Sequence, residues 1–158
     1  MLAWMEHSWL GHFMRDSSLW TYPIVNLLHI VGLSSLFGAT LIIDLRLLGL
    51  WRRVPIAVLA DATVPVAKAG FVVAAATGTG LLATKATEYA GNPYLLIKFA
   101  AIALGLANVF ALHRVPAWRW RRERDPTRAE DWRLAAMGGI SLACWLAAIT
   151  AGRLIAYW

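Results

Sequence analysis

The chain has 158 residues, the length of one ordinary domain. It is 59% hydrophobic and 15% charged, with mean hydropathy +0.58, whereas soluble domains run at roughly 45–50% apolar and about 25% charged. The charges cluster between long apolar runs, which excludes a soluble globule, and the net charge of +6 is explained by membrane topology without nucleic acid.

The first twenty residues, MLAWMEHSWLGHFMRDSSLW, lack a basic start and are interrupted by Glu6, Arg15 and Asp16, so they do not read as a cleaved signal. Trp4, Met5, Trp9, Leu10 and Phe13 suit an amphipathic helix over about 2–15, lying at the outer membrane interface. Met1, Met5, His7, His12 and Met14 are ligands of the kind copper takes. The spacing does not gather them: His7 and Met14 share one helical face, and Met1, Met5 and His12 share another. Copper is therefore the weaker metal reading, behind a membrane anchor.

Four apolar segments are long enough to cross a hydrocarbon core of about 30 Å. They run over about 22–48, 56–84, 94–114 and 134–157. Pro23 and Pro93 fall in first turns, where proline forfeits no hydrogen bond, and Pro65 kinks the second segment or marks its entry. The Gly-Thr-Gly of AAATGTGLL follows no strand signal and is no phosphate loop. Gly70, Ala74, Gly78, Gly138, Ser141 and Gly152 instead fit close helix packing. The lone Cys144 excludes an intrachain disulfide and reads as a small core residue.

The connections WRRVP and RVPAWRWRRERDPTRAEDWR carry most of the arginines, while the opposite side has Arg15, Lys85 and Arg153. The positive-inside rule then places both termini outside, the periplasmic side of an inner membrane, and the Arg-rich loops in the cytoplasm. Trp20, Trp51, Trp118, Trp120, Trp132 and Trp158 sit at segment boundaries as an aromatic belt. The sequence predicts an all-α integral membrane four-helix bundle, one transmembrane domain over residues 1–158.

Ionisable groups within spans are costly and usually face the bundle interior. In the first span Asn26, His29, Gly32, Leu36, Thr40 and Asp44 share one face. His29 and Asp44 lie about 22 Å apart along the axis. Alternating span directions sort the polar groups into an outer set of Asn26, His29, Lys98 and Arg153 and an inner set of Asp44, Arg46, Lys68 and His113. Asp44 is expected to form a structural ion pair with Lys68 or Arg46 at the inner interface.

Neutral imidazole on facing bundle helices is the usual axial ligand of haem iron. His29 and His113 are therefore the leading ligands for haem b, with Lys98 and Asn108 as the polar residues beside the cofactor. A single shared iron is disfavoured, because His29 lies about 7 Å outside the midplane and His113 about 13 Å inside it. Two sites are easier: His29 with His7 or His12, and His113 with Met137. No carboxylate pair, nucleophile triad or Gly-rich motif supports a hydrolase or kinase.

Met14-Arg15-Asp16-Ser17, Trp20-Thr21-Tyr22-Pro23, His29 to Gly32, Asp44-Leu45-Arg46-Leu47-Leu48-Gly49, and Asn108 with His113 are distinctive elements. In them the chain resembles an uncharacterised family of small bacterial four-span integral membrane proteins, marked by M-R-x-S, W-x-Y-P, H-x-x-G and D-L-R-L-L-G. The resemblance implies the topology and selects residues, and it assigns no activity. His7 and His12 lie outside these elements.

The expected function is a small b-type-cytochrome-like electron-transfer protein of the inner membrane, not a stand-alone enzyme. The alternatives are a non-catalytic accessory subunit of a larger membrane complex, and a carrier of protons or a small solute. The expected partners are the lipid bilayer and either further copies of the chain or a membrane complex.

Overall fold

The computed structural model describes residues 4, 6–16, 19–124 and 126–158, without the side chain of Asp16. Met1, Met5 and Ser17, with the start of the expected interfacial helix, lie outside the described residues. The described elements are α1 (Trp9–Asp16), α2 (Thr21–Leu47), α3 (Ile56–Thr84), α4 (Pro93–Leu112), α5 (Pro116–Arg119) and α6 (Arg128–Leu154), followed by a 3₁₀ turn at Ile155–Tyr157. The fold is all-α, with no strand among the described residues.

The helix ends follow local chemistry. Gly49, at φ +107°, ends α2 in a Schellman arrangement: the Leu50 amide donates to Leu45 O and the Gly49 amide to Arg46 O. α3 continues through Pro65, whose missing N–H leaves the Asp61 carbonyl without its helical donor. Prolines open α4 and α5 at the positions where a lost donor costs least. α6 begins at Arg128, earlier than the expected 134. Thr127 and Glu130 form a reciprocal capping box, and the extra turn is polar, so hydropathy alone misses it.

α2, α3, α4 and α6 are each long and apolar enough to cross a bilayer. Only 17–33% of each apolar window is buried, and Leu27, Val72, Leu96 and Leu104 are mostly exposed. Apolar side chains facing outward all along a helix need a hydrocarbon solvent. The chain is a multi-pass membrane protein.

The chain divides into two compact units, Met1–Leu36 with Val66–Asn92, and Phe37–Pro65 with Pro93–Trp158. In the first unit α2 and α3 approach at glycines. A Cβ on Gly70 would lie 2.6 Å from Leu36 N and 2.7 Å from Gly32 O, and one on Gly32 would lie 2.8 Å from Ala74 N. Contact that close is available only where side chains are missing. In the second unit Ile43 and Leu47 of α2, Ile56 and Ala60 of α3, Leu112 of α4, Trp118 of α5 and Leu134 of α6 share one core. α6 meets α2 there at Gly138, where a Cβ would lie 2.9 Å from Asp44 O.

Candidate functional site

His29 is placed on α2 by the same helical face that carries Gly32 and Leu36 into the crossing. Its half-buried ring lies against Gly78 of α3, where a Cβ would be 2.9 Å from Cε1. The glycine thus leaves room for the imidazole. His29 Nδ1 lies 3.0 Å from Ala74 O and 3.1 Å from Thr77 Oγ1. The Thr77 hydroxyl spends its own proton on Val73 O, at 2.6 Å. Both groups facing Nδ1 are therefore acceptors, so Nδ1 carries a proton and, in the neutral ring, Nε2 carries the lone pair. A backbone carbonyl holding the far nitrogen is how ligating histidines are oriented.

His113 has the same tautomer logic in the second unit. Its Nδ1 lies 2.8 Å from Val109 O, one turn back on its own helix. The ring is exposed and meets Trp118 edge-on at 5.6 Å. Met137, the expected companion of His113, packs against the second-unit core, and its carbonyl accepts from Asn108 Nδ2 at 2.9 Å. Asn108 therefore joins α4 to α6.

The expected outer set is divided between the units, with Asn26 and His29 in the first and Lys98 and Arg153 in the second. Lys98 is half-buried and lays its chain along Gly152, whose absent Cβ would be 3.5 Å from Nζ. Arg153 donates to the Tyr157 hydroxyl at 2.8 Å and stacks on its ring. His7 and His12 are exposed in the first unit. Among the described residues no three His, Cys, Asp or Glu side chains gather as a metal site. Met14 is buried against Gly80, where it acts as packing.

The expected Asp44 ion pair is replaced by other partners. Asp44 is buried, and its carboxyl is hydrogen-bonded to Ser141 of α6. Its Oδ2 has no partner among the described residues. Arg46 turns the other way: Nε donates to Val54 O at 2.7 Å and Nη2 to Arg52 O at 3.2 Å. A guanidinium with five donors suits a turn rich in carbonyls, so Arg46 clamps the 48–55 connection. Lys68 is exposed and belongs to the first unit. Carboxylates that do bind arginine in the second unit are Asp61, 2.8 Å from Arg122 and 4.0 Å from Arg121, and Glu130, 2.7 Å from Arg124.

The residues that sequence reasoning missed are the partners. Thr77 and Ser141 look like small helix-packing residues, and only tertiary structure sets one against His29 and the other against Asp44. Thr77 had one legible signal: it abuts Gly78, within a glycine series spaced to share one face of α3.

No curated protein and no solved structure matches the chain. The match that exists is to a sequence family and covers residues 1–158: the chain belongs to the family of unknown function DUF6644.

Proposed function

We propose that this protein is an electron-transfer protein of the bacterial inner membrane, in which His29 Nε2 would hold the iron of a b-type haem, the group that would supply the redox chemistry. The observation that carries the reading is the arrangement at Nδ1, with Ala74 O and Thr77 Oγ1 both accepting. It orients the ring on the two-helix crossing, and the neutral ring would offer Nε2 to iron. Gly78 supplies the space the ring occupies. A further ligand would come from the N-terminal segment, where His7 and His12 are exposed, or from a second copy of the chain. His113, with its Nδ1 satisfied inside its own helix, is the ligand of a second, separate site. The Arg-rich loops support a topology with both termini outside.

A second reading, a carrier of protons or a small solute, is favoured by Asp44. A carboxyl that is 3% exposed within a span, with one oxygen unpartnered, is an intramembrane polar site of the kind carriers use.

The test is the absorption spectrum of protein purified from haem-replete cells, oxidised and then reduced with dithionite. The expected result is a reduced b-type α-band that disappears in His29→Ala and persists in Arg133→Gln. A colourless wild-type protein overturns the haem reading. If that colourless protein moves protons in liposomes and Asp44→Asn does not, the carrier reading replaces it. A colourless protein that co-purifies with stoichiometric partners makes it an accessory subunit.

A further inference from the structure

In the first unit an open pocket of about 400 Å³ lies where the end of α1, the first turn of α2 and the end of α3 meet. That volume falls within the roughly 300–1,000 Å³ typical of small-molecule sites. Met14 and Leu81 give it apolar walls, and Arg15, Lys85, Tyr22 and Tyr89 give it polar groups. Tyr22 is two helical turns from His29 on the same face of α2, about 10 Å along the axis. Lys85 is about two turns beyond Gly78 along the chain of α3. The pocket therefore opens at the membrane end of the crossing that holds His29.

Its hydrogen-bonding character is lopsided. Neither the Tyr22 nor the Tyr89 hydroxyl is engaged by another described residue. Burial, then Tyr22 and Glu88, hold the Tyr89 phenol above its ordinary value, so it stays a neutral O–H donor. Lys85 uses one of its three donors on Glu88, at 3.0 Å. Arg15 uses two of its five, on Thr84 O at 3.0 Å and Glu6 O at 2.8 Å. The Glu88 carboxylate pairs with Lys85 and the Glu6 carboxylate interacts electrostatically with Arg15, so the pocket offers surplus donors more than surplus positive charge. The complementary occupant is a neutral ring with carbonyl acceptors and an apolar tail.

We infer that this pocket binds a lipid-soluble quinone, its carbonyl oxygens taken by Tyr22, Tyr89 and Lys85 and its tail leaving along the apolar wall of Leu81. The choice of a redox-active head rests on the electron-transfer reading. The binding itself does not require haem.

The full-length protein, in nanodiscs of zwitterionic lipid, is photolabelled with an azido derivative of decylubiquinone and mapped by mass spectrometry. Haem content is read from the spectrum of the same sample. The expected label falls on the peptides of Tyr22, Leu81 and Tyr89 and is suppressed by unlabelled decylubiquinone. Tyr22→Phe and Tyr89→Phe each weaken binding roughly threefold to tenfold, the worth of one hydrogen bond. Arg133→Gln, outside the pocket and exposed, leaves it unchanged. Label spread over all lipid-facing peptides overturns the inference. So does label displaced by phosphatidylglycerol but not by the unlabelled quinone, which makes the pocket an anionic lipid site. A colourless sample labelled in the pocket supports this inference while removing the haem. A coloured sample without the label does the reverse.

Discussion

His29 and His113 present the same nitrogen to the same kind of acceptor, yet they are held by different levels of structure. The His29 proton goes to Ala74 O, 45 residues away on another helix, and to Thr77 beside it. The His113 proton goes to Val109 O, four residues back on its own helix. The first ring is oriented by a crossing of two long helices and the second by its own helical turn and the edge of Trp118, five residues on. A site that must hold a metal or a cofactor needs neighbours whose positions are fixed relative to one another. His29 meets that condition across the crossing, His113 only within one local segment. A perturbation of the crossing therefore reaches one histidine and not the other.

The largest break in that parity comes from Gly70→Ala. The new methyl would lie 2.6 Å from Leu36 N and 2.7 Å from Gly32 O, which are backbone atoms with no rotamer to yield. Overpacking of this kind costs about 1–3 kcal/mol. The expected outcome is faster amide exchange over residues 21–36 and 66–84, with a changed ¹⁵N shift for His29. Residues 96–112 and the His113 shift stay as in the wild type. A His29 signal that ignores Gly70→Ala would mean that the crossing does not set the ring.

Thr77→Val sharpens the comparison at smaller amplitude. Valine keeps the volume and removes the acceptor at 3.1 Å, while Ala74 O remains at 3.0 Å. The cost is about 0.5–1.5 kcal/mol, the net worth of one hydrogen bond. The proton is expected to remain on Nδ1, read as an unchanged tautomer in the ¹⁵N spectrum. A switch to the Nε2–H tautomer would show that Thr77, not Ala74, selects the nitrogen that carries the proton.

How much of this the sequence carried depends on the range of each cause. Helix number, length and apolarity are local sums, so the spans at 56–84 and 22–48 are legible within a residue or so of α3 and α2. His29 stands out in the sequence because an imidazole deep in an apolar run is rare. Its partners were not, because Ala74 and Thr77 become neighbours only through the Gly32–Gly70 crossing. Charge pairing was the poorest guide. Opposite charges near one depth suggest that Asp44 meets Arg46 or Lys68. Side-chain direction decides otherwise: Arg46 reaches forward to Val54 and Arg52 carbonyls, and Asp44 faces Ser141. The Asp61–Arg122 pair joins a helix start to a loop 61 residues on, a separation that periodicity does not address.

The smallest expected effect lies in the N-terminal segment of the first unit. The Glu6 carboxylate accepts from the Thr87 amide at 2.7 Å and from the Thr87 hydroxyl at 2.5 Å, tying the N-terminal segment to the connection after α3. These bonds, the side-chain one first, hold the Glu6 carboxyl below its ordinary value of 4.5. A carboxyl whose folded value is depressed contributes its stabilisation above the unfolded value and loses it as the pH falls through the folded one. The tie should therefore be whole at neutral pH and loosen only below about 4.5. Amide exchange, normalised to intrinsic rates, should show protection around residues 6–12 and 85–89 falling over that acid window. In Glu6→Gln the same protection should be weaker at neutral pH and flat across the window. The tie involves no residue of the second unit, so residues 96–112 serve as the internal reference. Loss of protection there at the same pH would mean that acid acts on the whole chain and that Glu6 is not its cause.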